Sequence, residues 1–128
     1  MTHCASYHAA AVASGSSTAA LGVDGEPSEP VPEGVRELIT LPEERPVLDR
    51  LGTAHPGGHW DRLLFSAKES VYKAWFPLTG RRLDLDQCAI TPDPEPGTPR
   101  SCGCPARRWA GCAWTAPTDG GGSGTGWW

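Results

Sequence analysis

The composition of this chain changes abruptly at residue 99. Residues 99–128 contain no Leu, Ile, Val, Phe or Tyr, yet they hold four of the six tryptophans and three of the five cysteines. The segment ends in a Gly-rich run followed by Trp127 and Trp128. Such a sequence cannot bury enough aliphatic surface to offset the entropy that ordering it would cost. We therefore expect one small domain over residues 1–98, followed by a disordered tail over residues 99–128.

The composition of the whole chain excludes several classes of protein. Apolar residues make up only 38% of it, beside 16 glycines and 13 prolines, which predicts long loops and a thin core. The net charge of −4 argues against nucleic-acid binding through a basic surface. We find neither an apolar run long enough to cross a membrane nor a secretory signal pattern, and the odd number of cysteines implies no disulfide framework. These features favour a cytoplasmic protein without nucleic-acid or membrane partners.

The hydrophobic pattern predicts an α+β fold in which a small antiparallel sheet packs on one long helix. Short apolar or alternating runs favour strands, whereas apolar residues at helical spacing, with stop signals after them, favour helices. The predicted strands cover residues 7–12, 19–23 and 83–90, and the predicted helices cover residues 35–41, 42–51 and 59–76.

The helix predicted over residues 59–76 has two contrasting faces. At 100° per residue, one face gathers the expected core residues Leu63, Leu64, Ala67, Val71, Ala74 and Trp75. The opposite face gathers Phe65, Lys68, Glu69, Tyr72, Lys73 and Phe76. Periodicity alone favours a solvated face with an i,i+4 pair between Glu69 and Lys73. The aromatic residues on that face argue instead that something covers it.

Asp24 and Glu26 form a second candidate constellation. On a strand, a spacing of two residues directs both carboxylates to the same side, where they repel each other unless a cation lies between them. Oxygen ligands of this kind suit Mg²⁺. The alternative is a simple Asp-Gly turn at the end of a strand, and the spacing taken alone favours that turn.

Three cysteines in the tail offer a further alternative of a different class. Cys102, Cys104 and Cys112 could bind zinc, which would make the tail a Cys- and Trp-rich metal-binding peptide attached to an unrelated domain. A structural zinc site needs four ligands, however, and the nearest histidine is His59. We therefore interpret these cysteines as accidental.

Three short motifs in order resemble the signature of the 4′-phosphopantetheinyl transferase superfamily. Residues 22–26 read Gly-Val-Asp-Gly-Glu, and residues 65–73 read Phe-Ser-Ala-Lys-Glu-Ser-Val-Tyr-Lys about 40 residues later. Thr2 and His3 match the Ser/Thr-His motif that precedes the Asp motif by about 20 residues. The sequence of the second motif, with Trp-Phe-Pro after it, resembles the branch typified by enterobactin synthetase component D and the surfactin-type enzymes. The resemblance covers residues 1–98.

This resemblance implies an enzyme that transfers phosphopantetheine from coenzyme A to a Ser of an acyl or peptidyl carrier protein. It implies that Mg²⁺ is held by Asp24, Glu26 and Glu69, and that Asp24 also meets the coenzyme A diphosphate. Thr2 and His3 would contact coenzyme A phosphates. Lys68 and Lys73 would bind or neutralise phosphate oxygens. Glu69 would be the base for the Ser proton, and Lys73 would stabilise the leaving phosphate. The enzyme would serve siderophore or other secondary-metabolite biosynthesis.

The chain also departs from the family pattern. Members of this branch consist of two similar halves with coenzyme A between them, whereas this sequence starts within the Thr-His motif. We therefore expect an N-terminally truncated chain whose tail after residue 98 comes from a frameshift. The competing hypothesis is an inactive remnant that binds only Mg²⁺ or a carrier protein.

Overall fold

The computed structural model describes residues 1–4, 7–16 and 18–92 of the chain. The expected disorder of residues 99–128 and the candidate zinc ligands Cys102, Cys104 and Cys112 lie outside these residues. The described elements follow in this order: strand β1 (Thr2–Cys4), strand β2 (Tyr7–Ala9), helix α1 (Val35–Ile39), helix α2 (Arg45–Ala54), helix α3 (Trp60–Thr79) and a 3-10 turn (Leu85–Gln87).

The two strands form a small antiparallel sheet at the N-terminus. Thr2 lies opposite Ala9, and His3 lies opposite His8. Because side chains alternate between the faces of a strand, Thr2 is buried while the neighbouring His3 is exposed. This sheet, together with the helices that follow it, confirms the predicted α+β class. The strand predicted over residues 7–12 is shorter than expected, and its partner β1 was not predicted.

Residues 19–23 do not form the predicted strand. Gly22 instead passes directly against α3, so closely that a Cβ atom placed on it would lie 1.8 Å from the Ser70 carbonyl oxygen. The backbone here packs against a helix rather than pairing with another strand. The apolar run also overestimates burial here, because Ala19 and Leu21 are exposed and Val23 is only half-buried.

Helices α1 and α2 confirm the two predicted short helices, although α1 ends two residues early and α2 begins and ends three residues later than predicted. The first ends at Ile39 and the second begins at Arg45. Between them, the side chain of Glu44 accepts a hydrogen bond from the Leu41 backbone N–H at 2.7 Å. This bond closes the turn between the helices and explains why helical geometry is not continuous from residue 42.

Helix α3 is the central element, and both α1 and α2 pack against it. Pro77 and Gly80 are the two predicted stop signals; the helix continues through Pro77 and ends at Thr79, with Gly80 as its C-cap at a left-handed φ of 63°. The Gly80 N–H donates to the Phe76 carbonyl oxygen at 2.9 Å, which is a glycine C-cap. The stop predicted at Gly80 is therefore confirmed, whereas the one predicted at Pro77 is wrong.

The core lies between α2, α3 and the segment that follows α3. Its buried members are Leu48, Trp60, Leu63, Leu64, Cys88 and Ile90, with Ala67 and Val71 packed against them. Cys88 is also disulfide-bonded, a bond that the odd number of cysteines did not predict. The predicted core positions at 63, 64, 67 and 71 of α3 all contact this cluster.

Residues 83–90 were predicted as a strand but contain the 3-10 turn. The Asp84 N–H donates to the Gln87 side-chain oxygen at 3.1 Å, and the Gln87 N–H donates to the Asp84 carbonyl at 2.9 Å. These local bonds replace a strand ladder. No helix in the described part of the chain has both the length and the apolar character needed to cross a membrane.

Candidate functional site

Asp24 lies at the centre of the candidate site, where the segment after Gly22 leaves the surface of α3. Its side chain is buried, and its Oδ1 atom accepts hydrogen bonds from Lys73 Nζ at 2.6 Å and from Thr2 Oγ1 at 3.3 Å. Its other oxygen, Oδ2, is also buried and has no hydrogen-bond partner among the described residues. A buried carboxylate oxygen without a donor is costly unless a cation or water satisfies it.

Thr2 connects the N-terminal sheet to Asp24. Its hydroxyl donates to Asp24 Oδ1 and accepts the Gly25 backbone N–H at 3.0 Å. Only 5% of Thr2 is exposed. The hydroxyl predicted to contact coenzyme A is therefore bonded to the segment that carries the Asp motif.

Glu69 and Lys73 stand one turn apart on α3, on the side that faces Asp24. Burial raises the pKa of Glu69 above its ordinary value, and repulsion from Asp24 raises it further, while the nearby Lys73 ammonium lowers it. Lys73 also binds Asp24 directly, with about a third of its side chain still exposed. The structure thus places the aspartate, the glutamate and the lysine of the two motifs in one electrostatic cluster.

Glu26 joins this cluster from the same segment as Asp24. Burial is the main cause that raises its pKa, and Asp24 adds to the effect. The guanidinium of Arg62 opposes both, because its Nη1 atom lies 3.2 Å from Glu26 Oε2. Arg62 also donates to the Pro30 carbonyl at 3.0 Å, so it anchors the loop after Glu26. The sequence does not predict the role of Arg62, because no local spacing links it to Glu26, which lies 36 positions earlier.

The donor set fits Mg²⁺ in its chemistry, although the three carboxylates are not already gathered as a ligand cage. In the ranges that the structure describes, no three His, Cys, Asp or Glu side chains are arranged to hold a metal ion. Lys73 and Arg62 supply the positive charge beside Asp24 and Glu26. The observation that favours a cation is the unpartnered, buried Oδ2 of Asp24. Mg²⁺ suits such a site because it uses few carboxylates and keeps several waters.

The helical projection places Lys68 on an open face, but in the structure this residue is buried. It is 1% exposed, and its Nζ atom donates to Glu44 Oε2 at 2.8 Å and to the carbonyls of Ile39 and Leu85 at 2.9 Å each. An ammonium group has three donors, so all of them are used. This arrangement leaves Lys68 no N–H for a phosphate oxygen. Sequence analysis also missed Glu44, the carboxylate that holds it.

His3, the remaining predicted contact to coenzyme A, lies at the surface. Its ring stacks on His8, with 5.8 Å between the ring centroids and 13° between the planes. The strand that buries Thr2 thus exposes His3, and the two residues of the Thr-His motif occupy different environments. His3 is accessible to a bound ligand, whereas Thr2 is not.

Residues 20–119 match the sequence model of the 4′-phosphopantetheinyl transferase superfamily. The chain is 53% identical over 98 residues to the 4′-phosphopantetheinyl transferase Svp of Streptomyces mobaraensis, a match that covers 77% of this chain and 40% of Svp. It is 46% identical over 91 residues to PptT of Mycobacterium tuberculosis (71% of this chain, 39% of PptT). It is 46% identical over 98 residues to Npt of Nocardia iowensis (77% of this chain, 43% of Npt).

PptT and Npt carry the same description, 4′-phosphopantetheinyl transferase. The chain spans about two-fifths of the length of each of these curated relatives. The residues matched by the family model, 20–119, include both the Asp24 segment and helix α3.

Proposed function

Because the chain belongs to the 4′-phosphopantetheinyl transferase superfamily, we propose that it carries the metal-binding centre of such an enzyme. The proposed reaction transfers phosphopantetheine from coenzyme A to a Ser hydroxyl of an acyl or peptidyl carrier protein and releases adenosine 3′,5′-bisphosphate. The observation that carries the proposal is the cluster of Asp24, Glu26, Glu69 and Lys73, in which Asp24 keeps a buried oxygen without a partner.

Mg²⁺ would be held by Asp24, Glu26 and Glu69, and it would supply positive charge against the diphosphate of coenzyme A. The repulsion among these carboxylates supports this assignment, since Asp24 raises the pKa of both glutamates. A bound cation would relieve that repulsion.

Glu69 is the proposed base for the Ser proton. In the metal-free chain, burial and then repulsion from Asp24 raise the pKa of Glu69 toward the operating pH, which makes it a better proton acceptor than an ordinary exposed glutamate. Its place in the middle of α3 gives it a rigid support. The incoming Ser oxygen would be oriented by the carrier protein, and its proton would move to the Glu69 carboxylate.

Lys73 is the proposed stabiliser of the leaving phosphate. Asp24 takes one of the three N–H donors of its ammonium group, and part of the side chain remains exposed. The other donors can meet the charge that develops on the departing phosphate oxygen. His3, which is exposed, remains the proposed contact to a coenzyme A phosphate, whereas Lys68 has no part in this proposal because its donors are all used.

We further propose the enterobactin- and surfactin-type branch of the superfamily, with a carrier protein of siderophore or other secondary-metabolite synthesis as the substrate. This proposal is supported by the sequence of residues 65–77, which lie in the helix that bears Glu69.

A second candidate, a remnant that binds Mg²⁺ or a carrier protein without transfer, is favoured by one observation. In the described ranges, no three carboxylates are arranged to hold a metal ion, so the centre that transfer requires is not assembled there.

One experiment separates the two candidates. The chain is mixed with coenzyme A, Mg²⁺ and an apo carrier protein, and the intact mass of the carrier is recorded. A gain equal to phosphopantetheine that disappears in Asp24→Ala and Glu69→Ala, but persists in the exposed control Glu43→Ala, supports the transferase. Binding of the carrier without any gain in mass supports the remnant and contradicts the transferase.

A further inference from the structure

We propose that Thr2 is a positioning residue that sets which oxygen of Asp24 is presented to the metal ion. This inference rests on the proposed function, because it concerns how the same carboxylate is oriented. It assigns the Thr of the Thr-His motif to the protein's own Asp segment rather than to coenzyme A.

The geometry gives the Thr2 hydroxyl two simultaneous bonds. It donates its single hydrogen to Asp24 Oδ1 at 3.3 Å and accepts the Gly25 N–H at 3.0 Å. The first bond orients the carboxylate, and the second fixes the backbone immediately after it. Strand β1 holds Thr2 in place through its pairing with Ala9.

The result is an asymmetric carboxylate. Thr2 and Lys73 both donate to Oδ1, whereas Oδ2 is buried without a partner in the described part of the chain. Two donors on one oxygen oppose rotation of the group and leave the other oxygen available as a ligand. Without Thr2, the carboxylate can turn and share the Lys73 ammonium between its two oxygens, which would occupy the proposed metal ligand.

The same geometry argues against direct contact between Thr2 and coenzyme A. Phosphate oxygens require hydrogen-bond donors, and a Thr hydroxyl has one donor, which Asp24 already receives. In addition, only 5% of Thr2 is exposed. A role through Asp24 uses the bonds that Thr2 makes in this structure.

The test measures binding of Mn²⁺ alone, as a paramagnetic probe for the Mg²⁺ site, to the full chain and three variants. Thr2→Val keeps the volume and removes the hydroxyl, Thr2→Ser keeps the hydroxyl, and Thr53→Val removes an exposed hydroxyl on α2 as the matched control. Loss of a group that orients a metal ligand typically weakens metal affinity about 10- to 100-fold. We expect that loss in Thr2→Val, with Thr2→Ser and Thr53→Val near the unchanged chain. Coenzyme A binding without metal is measured in parallel.

Each outcome decides the matter. Unchanged Mn²⁺ affinity in Thr2→Val overturns the inference, and so does a loss confined to coenzyme A binding, which would make Thr2 a direct ligand contact. Loss of Mn²⁺ binding in Thr2→Ser also overturns it, however well Thr2→Val folds. If the unchanged chain does not bind Mn²⁺, the metal site of the proposed function fails and this inference fails with it. If it binds Mn²⁺ and Thr2→Val does too, only the inference fails.

Discussion

Lys68 Nζ and Glu44 Oε2 lie 2.8 Å apart in an ion pair whose side chains are 0% and 3% exposed. Glu44 also accepts backbone hydrogen bonds from Leu41 at 2.7 Å and from Ile90 at 2.8 Å. One carboxylate therefore joins the turn between α1 and α2, the middle of α3 and the segment that follows α3. Both charges are fully hydrogen-bonded, which is the condition under which a buried ion pair is tolerated.

Lys68→Met is expected to destabilise the chain strongly. The substitution leaves the Glu44 carboxylate buried without its counter-charge, and breaking such a pair typically costs about 3–5 kcal/mol. Urea unfolding measures the loss. The control is Arg82→Ala, which removes an exposed pair with Asp84 and should change the free energy of unfolding by less than about 1 kcal/mol. Equal stability of Lys68→Met and Arg82→Ala would contradict a structural role for Lys68.

Gly22→Ala is expected to displace the Asp24 segment from α3. A Cβ atom at residue 22 would lie 1.8 Å from the Ser70 carbonyl oxygen and 2.9 Å from the Ala74 nitrogen, and both are backbone atoms that cannot turn aside. Overpacking of this kind costs on the order of 1–3 kcal/mol or more. We expect lower stability in urea and weaker Mn²⁺ binding, because Asp24 moves away from Glu69.

The matched control for this change is Gly52→Ala. Gly52 lies inside α2 with no atom near the position of a new Cβ. Alanine there should stabilise the helix by about 0.5–1 kcal/mol. If Gly22→Ala and Gly52→Ala have the same stability in urea and the same Mn²⁺ affinity, the close contact at Gly22 does not hold the Asp24 segment on α3.

Helical periodicity predicted most of the core side of α3, although Ala74 and Trp75 are half-buried and lie outside the core cluster. It failed on the opposite side. Leu63, Leu64 and Val71 reach the core as their spacing indicates. Lys68 was expected on the open side but is buried, because its partner Glu44 comes from a turn 24 residues earlier. A helical projection contains no information about such a partner, so the burial of a charged residue could not be read from it.

The candidate site was predicted by resemblance rather than by local spacing. Spacing alone favoured an Asp-Gly turn at Asp24, and only the paired motifs linked Asp24 to Glu69 and Lys73. The structure adds contacts that neither the local spacing nor the resemblance predicted. Gly22 brings the segment against α3, Thr2 orients Asp24, and Arg62 balances Glu26. These contacts join residues that are distant in the chain, and no pattern within one element encodes them.

Metal affinity is expected to rise with pH through the range just above the ordinary glutamate pKa. Burial and repulsion from Asp24 raise the pKa of both Glu26 and Glu69, so protons compete with the cation to a higher pH than at an exposed glutamate. The free energy of unfolding of the metal-free chain should instead fall as the pH rises. The stability that Glu26 and Glu69 contribute is present below the pKa of the unfolded chain and is lost as the pH rises through the raised pKa of the folded chain.

Mn²⁺ titrations and urea midpoints measured over about pH 4 to 7 check both slopes. Glu26→Gln should flatten both of them, while Glu43→Gln, at an exposed position outside the cluster, should not. Mn²⁺ affinity that is independent of pH would contradict the assignment of these glutamates as ligands.

Glu69→Gln is expected to separate stability from function. In the metal-free chain at neutral pH, Gln keeps the shape of the side chain but removes the charge that Asp24 and Glu26 repel. Solvent screens this half-exposed carboxylate, so the gain in the free energy of unfolding should stay within about 1 kcal/mol. The same change removes a proposed metal ligand and the proposed base, so Mn²⁺ binding and transfer to the carrier protein should both fall. Residues that function requires often lower the stability of the fold.

Thermal unfolding without metal, compared with Glu43→Gln, measures the gain in stability. A Glu69→Gln chain that is less stable than the unchanged one would show that Glu69 supports the fold.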